Sequence, residues 1–407
     1  MSGGNTNWAG NLAYATDRVE APRSLDELRE AVRGATRAHA VGSRHSFTPI
    51  ADSDAEQISL RHMNRILGID TAARTVTVEG GIRYDELTPA LHAAGFALRN
   101  LASLPTITVA GAVATGTHGS GTQNLSAAVR SLKLVTADGA IATFERGDPD
   151  FDGVVVSLGA LGVVAELTLD LEPSFDLREE MYLDLPLETL AANIDDIMAS
   201  GHSVSLFHPW AGNRGARVLV KRLAETAGEH GRFFGAEAAR PVNPASPVEA
   251  RLGVAGPWHL RLPHFRSEDI AVAGNELQAE YFVPRQQAGA ALRAVEAVQH
   301  HLERVLIVGE IRSVAADSLW LSPAFERDCL AIHFTCRRDA PGLVAALPAI
   351  EAALKPFAPR PHWAKIFTMA AADVHRAYPK LPAFRALRRR LDPHGKFGNP
   401  FIDEFIG

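Results

Sequence analysis

Apolar and polar positions alternate along the chain in short segments, and the period of the alternation changes from one segment to the next. Over residues 24–33 the apolar positions follow a helical period, and the segment begins with Ser24, a residue typical of a helix N-cap. Over residues 75–78 they recur at every second position, as in a half-buried strand. Asp138-Gly139 separates two β-rich runs and predicts a hairpin turn. The chain up to about Leu171 is therefore predicted to be mixed α+β.

Beyond that point, helical and strand-like patterns follow one another in longer runs. The predicted helices are 186–200, 286–303, 341–354 and 384–391, and the predicted strands are 203–207, 217–221, 305–313, 330–337 and 363–367. Such alternation is typical of an α/β domain, here expected to hold a mixed sheet covered by helices. We expect a first domain at residues 1–175, a second at 176–360 and a C-terminal segment at 361–407.

Composition narrows the possible functions. The 407 residues include 41 Lys and Arg against 47 Asp and Glu, a net charge of −6, so nothing favours nucleic-acid binding. The 2 cysteines cannot form a disulfide framework or a four-thiolate zinc site, and no metal is expected. The chain shows neither a signal-peptide pattern nor a long uncharged apolar run, so we expect a cytoplasmic protein without membrane contact.

Two glycine-containing loops carry the strongest chemical signal in the first part of the chain. Residues 111–121 hold 4 glycines together with Thr115, Thr117 and His118, and residues 42–46 read Gly-Ser-Arg-His-Ser. Glycine lets the backbone approach a ligand closely, with N–H groups free to point at phosphate oxygens. Neither loop has the Walker A or the Rossmann spacing, and either alone could be a turn between strands. Two such loops in one α+β domain favour a dinucleotide or flavin pyrophosphate site.

Taken together, these loops and seven further motifs resemble the vanillyl-alcohol-oxidase family of FAD enzymes. The motifs are Gly42-Ser-Arg-His-Ser-Phe47, Gly80-Gly81, Ala102-Ser-Leu-Pro105, Ala110-Gly111 through Thr117-His-Gly-Ser-Gly121, Leu158-Gly-Ala-Leu-Gly-Val163, Glu310-Ile-Arg312, His333-Phe-Thr335, Pro361-His-Trp-Ala-Lys365 and Phe397-Gly-Asn399. Within the family, the chain resembles the alditol oxidases close to end to end. The resemblance implies a two-domain flavoprotein: an N-terminal FAD-binding domain of the PCMH type, a substrate domain over the flavin ring, and a tail that returns to the first domain.

The resemblance also assigns the cofactor. It implies FAD bound covalently through His45, the histidine of the His-Ser-Phe motif. Arg44 stands where many members of the wider family carry glycine, so the geometry of this loop is expected to vary. The other residues expected to bind the cofactor are Gly42, Ser43, Arg44, Ser46, Ser103, Thr108, Gly111, Thr115, Gly116, Thr117, His118, Gly119 and Val164.

Charged residues interrupt three predicted strands of the second part and the tail. Residues two apart on a strand share a face, so Glu310 lies beside Arg312, His333 beside Thr335, and Lys365 beside Trp363 and Phe367. Singly, each fits a half-exposed sheet face. Because a charge within an apolar strand costs free energy unless it is paired or faces a polar cavity, three together predict a common cavity. The resemblance places that cavity above the flavin.

The expected function is that of an FAD-dependent alditol oxidase, with a small polyol such as xylitol or sorbitol and O2 as its partners. It would oxidise the terminal hydroxyl to the aldose and produce H2O2, acting as a monomer. Arg312 and Lys365 would stabilise developing negative charge. His333 or Lys365 could accept the hydroxyl proton, and the sequence does not choose between them. Substrate hydroxyls would be held by Ser103, Glu310, Arg312, His333, Thr335 and Lys365.

Two alternatives stay open at this point. An aldonolactone oxidase or dehydrogenase of the same flavin family would share the FAD loops but take a lactone ring. A non-catalytic flavin-carrying or sugar-binding protein would use the polar cavity for binding alone.

Overall fold

The computed structural model describes residues 5–119, 122–210, 214–226, 231–239, 251–265, 274 and 276–407. Ser120 and Gly121 of the glycine-rich motif, and much of the proline-rich stretch before residue 268, lie outside this part. Within it, the strands form sheets of 10, 5, 3 and 2 strands. No described helix combines the length and the apolar character needed to cross a lipid bilayer.

The first part of the chain folds around the five-stranded antiparallel sheet β4-β5-β9-β7-β8 and the three-stranded parallel sheet β1-β3-β2. Its elements are β1 Val19–Glu20, α1 Leu25–Gly34, β2 Ala38–Ala40, β3 Glu56–Ile58, β4 Ile66–Asp70, β5 Thr75–Glu79, α2 Tyr84–Ala93, β6 Phe96–Ala97, α3 Val109–Ala114, β7 Val129–Val135, β8 Ile141–Glu145, α4 Phe151–Val154, β9 Val163–Asp170 and β10 Glu172–Pro173. The helix predicted at 24–33 is confirmed, with Ser24 Oγ accepting the N–H of Glu27. The hairpin predicted at Asp138-Gly139 is also confirmed, as β7 and β8.

The second part is dominated by the ten-stranded sheet, ordered β14-β15-β11-β13-β12-β18-β19-β17-β20, with β16 beside β11. Its elements are β11 Asp176–Leu185, α5 Leu187–Ala192, α6 Ile194–Ala199, β12 Ser203–His208, β13 Ala216–Leu223, β14 Arg232–Phe233, β15 Ala236–Ala238, β16 Gly256–Pro257, α7 Trp258–Arg261, β17 Glu276–Pro284, α8 Ala288–Ala297, β18 Leu306–Val314, β19 Cys329–Arg337, α9 Ala340–Leu354 and β20 Arg360–Pro361.

Strand direction in this sheet differs from the expectation of a mixed sheet. Every described pair of neighbouring strands is antiparallel. The reason is that each helical crossover joins two strands of the same direction but leaves a gap between them. The following strand fills that gap in the opposite direction: β13 between β11 and β12, and β19 between β17 and β18. The sheet is thus two split β-α-β units that meet at β12 and β18.

Two predicted helices are interrupted in the structure. The helix predicted at 186–200 is two helices, α5 and α6, which break at Asn193. There φ is −124° and the side-chain amide donates to the Thr189 carbonyl at 2.8 Å, the local competition typical of asparagine. The helix predicted at 286–303 is α-helical over α8 alone, because Val298 has a φ of −112°.

The large sheet has one apolar and one polar face, as the two-residue alternation requires. Helices α5, α6, α8 and α9 cover the apolar face, which includes Leu206, Ile311, Ile332 and Phe334. The intervening side chains, such as Glu310 and His333, lie on the opposite face. That opposite face borders the cavity described below.

The tail adds α10 Ala371–Ala377, α11 Leu381–Leu391 and α12 Pro400–Phe405 to the core of the first part. Asn399 anchors it, donating to the carbonyls of Pro49, Ile50 and Asp52. The buried apolar side chains of the tail pack in the same cluster as those of the first part, so the two share one core.

Candidate active site

A cavity of about 1500 Å³ lies between the first part of the chain and the open face of the large sheet. It exceeds the ~300–1,000 Å³ of an ordinary small-molecule pocket, so it has room for a large ligand and a second, smaller one. We call residues 42–47 and 108–119 the loop wall. We call Glu280, Glu310, Arg312, His333 and Thr335 the sheet wall.

The loop wall begins directly after β2, where the chain turns through Gly42, Ser43 and Arg44. Arg44 has a φ of +61°, the left-handed conformation that favours glycine, although it carries a long side chain. Its guanidinium lies 5.1 Å from the centre of the Tyr14 ring and donates to Gln57 Oε1 at 3.3 Å. These contacts hold the loop in a turn whose backbone conformation favours glycine.

His45 lies half-buried on this loop and lines the cavity. Its ring packs against Trp8, with 4.7 Å between the ring centres. Burial, assisted by the nearby Lys365 ammonium, lowers the pKa of His45 to about 3. The imidazole is therefore neutral at pH 7, the form in which a ring nitrogen is nucleophilic.

The second loop of the wall contains α3 and a turn formed by two glycines with positive φ. At Gly119 φ is +66°, and a Cβ there would overlap the Leu101 carbonyl. Gly116 has the same φ of +66°, but a Cβ there would meet Pro323, Asn124 and Val156, and Gly116 does not line the cavity. We therefore assign Gly116 to the turn and not to a cofactor contact.

Apart from Gly116, all of the predicted binding residues line the cavity. They are Gly42, Ser43, Arg44, His45, Ser46, Ser103, Thr108, Gly111, Thr115, Thr117, His118, Gly119, Val164, Glu310, Arg312, His333, Thr335 and Lys365.

The sheet wall is formed where β17, β19 and β18 lie side by side. Glu310 pairs in register with His333, and His333 pairs with Glu280 on the other side. His333 Nε2 also lies 3.2 Å from Thr335 Oγ1. Because these residues share one face, the strands bring two carboxylates and an imidazole together.

Arg312 links the two walls and contacts both carboxylates. Its Nη1 donates to the Gly119 carbonyl at 2.6 Å and to Ser103 Oγ at 3.3 Å. Its Nε lies 3.4 Å from Glu310 Oε1, and its Nη2 lies 3.6 Å from Glu280 Oε1. The positive charge of this buried guanidinium is therefore compensated before any ligand binds.

Glu280 is a functional candidate that sequence reasoning missed. It is only 2 % exposed, and its Oε1 accepts from His118 Nε2 at 2.9 Å. Burial opposes its charge, but the contacts with His118 and His333 outweigh burial and hold its pKa well below the usual value. The signal was present: Gln278 and Glu280 alternate with Leu277, Ala279 and Tyr281, the same pattern that identified Glu310 and Arg312.

Lys365 lines the cavity but is not on a strand, so the strand predicted at 363–367 is wrong. The chain pairs with β17 at Arg360–Pro361, and then only the N–H groups of His362 and Ile366 reach that strand. Between them it forms a turn that buries Trp363 in the core of the first part. Burial of that indole explains why strand pairing stops, and why Lys365 does not share a sheet face with Trp363 and Phe367.

The Lys365 ammonium has a different environment from that of Arg312. It donates to Gln278 Oε1 and lies 4.9 Å from the centre of the Phe47 ring. In the described part of the chain no carboxylate lies within ion-pair distance of it. Burial lowers its pKa to about 8, against the weaker pull of Glu280 and Glu276. At pH 7 it is thus a cation without a directly paired anion.

The wall chemistry fits a large polar cofactor such as FAD. Four buried side-chain atoms of residues that line the cavity have no hydrogen-bond partner among the described residues: His39 Nε2, Thr106 Oγ1, His118 Nδ1 and Ser157 Oγ. Buried polar atoms are rarely left without a hydrogen-bond partner, so these atoms point to a bound molecule that supplies donors and acceptors. Gly42 and Gly111 also line the cavity, and a Cβ at either position would crowd Thr108 Oγ1, so the absence of a side chain lets the two loops lie close together there.

Comparison with known proteins agrees with this fit. The sequence profile of the FAD binding domain family matches residues 16–145, and that of the D-arabinono-1,4-lactone oxidase family matches residues 274–405. An alditol oxidase from a Streptomyces species is 45% identical, with 100% of each chain covered. An L-gulono-1,4-lactone dehydrogenase from Mycobacterium tuberculosis is 30% identical over 99% of each chain.

Solved structures share the fold at lower identity. A solvent-stable cholesterol oxidase superposes with a TM-score of 0.82 at 18% identity, covering 98% of this chain and 96% of its own. The cholesterol oxidase from B. sterolicum gives a TM-score of 0.80 at 14% identity over 99% and 96%. These two show the fold alone.

The FAD binding domain, the helix-covered sheet and the cavity between them, taken with the identity to an alditol oxidase, define a two-domain FAD-linked oxidoreductase. Identity over the full length narrows the assignment. The chain belongs to the vanillyl-alcohol-oxidase family of FAD-linked oxidoreductases, in a group with alditol oxidase and the aldonolactone enzymes.

Proposed function

We propose that this protein is an FAD-dependent alditol oxidase that takes a small polyol and O2 as substrates. The observation that carries the proposal is the sheet wall, where Glu310, Arg312, His333 and Thr335 offer both donors and acceptors at the cavity. A polyol has a hydroxyl on every carbon, and each hydroxyl can donate and accept. The 45% identity to an alditol oxidase over the full length supports the same substrate class.

The loop wall would hold the cofactor. His45 would carry FAD through a covalent bond, and the backbone around Gly42, Gly111 and Gly119 would lie along it. When bound, FAD supplies the acceptor for the substrate hydride and passes the electrons to O2, which gives H2O2.

The remaining chemistry belongs to side chains around the substrate. Lys365 and Arg312 would stabilise negative charge as the alcohol loses hydride, which lowers the barrier if the contact is stronger in the transition state. Ser103, Glu310, His333 and Thr335 would position the hydroxyls. The hydroxyl proton would pass to His333 or, in its neutral form, to Lys365.

The substrate class is tested by O2 consumption with xylitol or sorbitol against a γ-lactone. We expect the polyols to be oxidised with stoichiometric H2O2 and the lactone to react far more slowly. Preference for the lactone would instead establish an aldonolactone oxidase or dehydrogenase, the alternative that the profile match over residues 274–405 favours. Lack of flavin bleaching on anaerobic mixing with either substrate would leave a binding protein.

The covalent link is tested separately, on acid-precipitated protein. We expect the flavin absorbance to stay with the wild-type pellet and to move to the supernatant for His45→Ala. His39→Ala is the matched control, because His39 also lines the cavity on the neighbouring strand. Flavin retained in the His45→Ala pellet would contradict the assignment. A cytoplasmic location and a monomeric state remain predictions from the sequence.

A further inference from the structure

Lys221 is a buried lysine on the same face of the large sheet as Glu310, and no carboxylate of the described residues lies within ion-pair distance of it. It lies on β13, is 1 % exposed, and donates to the Leu262 carbonyl at 2.6 Å and to His264 Nδ1 at 3.3 Å. A buried ammonium is costly, so its presence calls for a specific role.

Several charged groups surround this ammonium and set its charge state. Burial lowers the pKa of Lys221 to about 8; Glu179 and Glu310 oppose the shift, while Arg251 and Arg312 reinforce it. Lys221 is therefore still protonated at pH 7. An ammonium has three donors and no acceptor, so the ring nitrogen it contacts has to be an acceptor.

That requirement fixes the proton on His264. Burial, assisted by Lys221, lowers the pKa of His264 to about 4, so the ring is neutral and carries one N–H. With Nδ1 accepting from Lys221, the proton is on Nε2. Nε2 lies 2.8 Å from Glu310 Oε1 and 3.2 Å from Ser205 Oγ, so it donates to the carboxylate with the hydroxyl as its second neighbour.

The side-chain contacts of Glu310 involve only one of its two carboxylate oxygens among the described residues. His264 and Arg312 both approach Oε1, and no side chain of the described residues bonds to Oε2. Burial opposes the charge, but Arg312 and His264 outweigh it and hold the pKa of Glu310 well below its usual value. Glu310 is thus an acceptor-only group whose second oxygen is available to the cavity.

We propose that Lys221 and His264 are positioning residues for the substrate: Lys221 selects the His264 tautomer, and His264 holds Glu310 Oε1 so that Oε2 accepts a polyol hydroxyl. This inference deepens the proposed function and rests on it for the identity of the substrate. It assigns a role to the segment around His264, for which the sequence alone suggested none. The rival explanation is that Lys221 and His264 only fill space between β13 and α7.

The first experiment measures KM and kcat for xylitol in holoenzyme variants. His264→Leu removes the donor to Glu310 and is expected to raise KM by on the order of 10- to 100-fold, with a smaller change in kcat. His264→Gln is expected to recover most of the affinity, since an amide can accept from Lys221 and donate to Glu310. A KM within about twofold of wild type in His264→Leu would overturn the proposal, since a lost hydrogen bond to a charged group costs more.

The second experiment needs no turnover. ¹⁵N shifts of labelled histidine in the wild-type holoenzyme, with His264 identified by its absence in His264→Gln, should show the Nε2–H tautomer at pH 7. In Lys221→Met that signal should move toward a mixture of tautomers, whereas Lys221→Arg should keep it. Lys133→Met is the matched control, because Lys133 lies on the distant strand β7 and pairs with Glu166 at the surface.

The two experiments separate the possible failures. The positioning role is overturned, whatever the substrate is, if the wild type shows the Nδ1–H tautomer. It is also overturned if Lys221→Met shows the same tautomer as the wild type. If Lys221→Met does not fold, the proposal is still tested by the wild-type tautomer and by the KM values of His264→Leu and His264→Gln. If the wild type shows the expected tautomer but oxidises no polyol, the proposed function fails, and with it the role assigned to Oε2.

Discussion

The two walls of the cavity recognise their ligands by different physical means. The loop wall has one formally charged side chain, Arg44, and its shape depends on backbone turns such as that at Gly119. The sheet wall instead brings Glu280, Glu310 and Arg312 together, with opposite charges 3.4 and 3.6 Å apart. A substitution in the loop wall should therefore act through space and backbone strain, and one in the sheet wall through unpaired charge.

The sheet wall also differs from its neighbour Lys365. Arg312 is held by two carboxylates, a carbonyl and a hydroxyl, whereas Lys365 contacts an amide oxygen and an aromatic ring. Removing Arg312 should thus disturb folding and chemistry together. Removing Lys365 should disturb chemistry without a comparable loss of stability.

The largest effect is expected for Arg312→Met. Two buried carboxylates lose their common cation, which typically lowers the free energy of unfolding by about 3–5 kcal/mol. Flavin reduction by polyol under anaerobic conditions should slow roughly 100- to 1000-fold as the charge-stabilising contact is lost. Urea unfolding and stopped-flow absorbance measure the two losses. The double variant with Glu310→Gln should recover part of the stability without recovering the rate, and an unchanged stability in Arg312→Met would contradict the pairing.

Lys365→Met should reduce the rate of flavin reduction by a similar factor, roughly 100-fold or more, without a comparable loss of stability. Lys365→Arg is the matched control for charge. If the ammonium is what the reaction needs, the wild-type rate should fall as pH rises above about 8, the pKa of Lys365. A rate that rises through the same pH would identify the neutral amine as the base.

The contribution of Lys365 to the free energy of unfolding should rise with pH, whereas the rate is expected to fall. The pKa of Lys365 is about 8 in the folded protein and 10.5 in its ordinary state, so the folded protein releases this proton more easily. Below pH 8 the buried ammonium lowers the free energy of unfolding. This penalty should disappear as pH rises from about 8 to 10.5, because the folded protein loses the charge first. Subtracting the unfolding free energies of Lys365→Met from those of wild type at each pH isolates this contribution, which should be absent if the lysine is solvated.

On the loop wall, Gly119→Ala tests strain. Its φ of +66° and the nearby Leu101 carbonyl leave no room for a Cβ, so we expect a loss of about 1–3 kcal/mol in stability. Gly111→Ala is the matched control, since its Cβ would meet only Thr108 Oγ1, which can rotate away. Thermal unfolding of both variants, with the flavin content recorded, makes the comparison. Equal losses in both would show that backbone conformation is not what distinguishes the positions.

The sequence predicted the sheet wall better than its surroundings, and the reason is physical. Strand alternation assigns Glu310, Arg312, His333 and Thr335 to one face because a strand has a fixed two-residue period. Lys365 has no such period to reveal its position, because the turn that holds it is dictated by burial of Trp363 far away in sequence. Its place at the cavity was predicted from a strand at 363–367 that the structure does not contain, together with the resemblance.

Residues that act through others were the hardest to predict. Lys221 sits in an apolar strand, where a lysine suggests an edge or a half-exposed face, and His264 follows a short helix with no motif around it. Their significance arises from contacts across strands and loops that no local pattern encodes. The antiparallel order of the large sheet was missed for a similar reason, because the crossovers alone do not reveal which strand fills each gap.

The smallest effect is expected for Ser103→Ala, where the two walls meet. Ser103 Oγ is one of four groups around Arg312, and the Gly119 carbonyl at 2.6 Å and both carboxylates remain after its removal. Loss of one hydrogen bond should then cost about 0.5–1.5 kcal/mol, a few-fold change in KM or rate for xylitol. Ser131→Ala on β7, away from the cavity, is the control for the substitution itself. A loss of 100-fold or more would mean that Ser103 Oγ contacts the substrate directly, because orienting Arg312 does not require that much from a single hydroxyl.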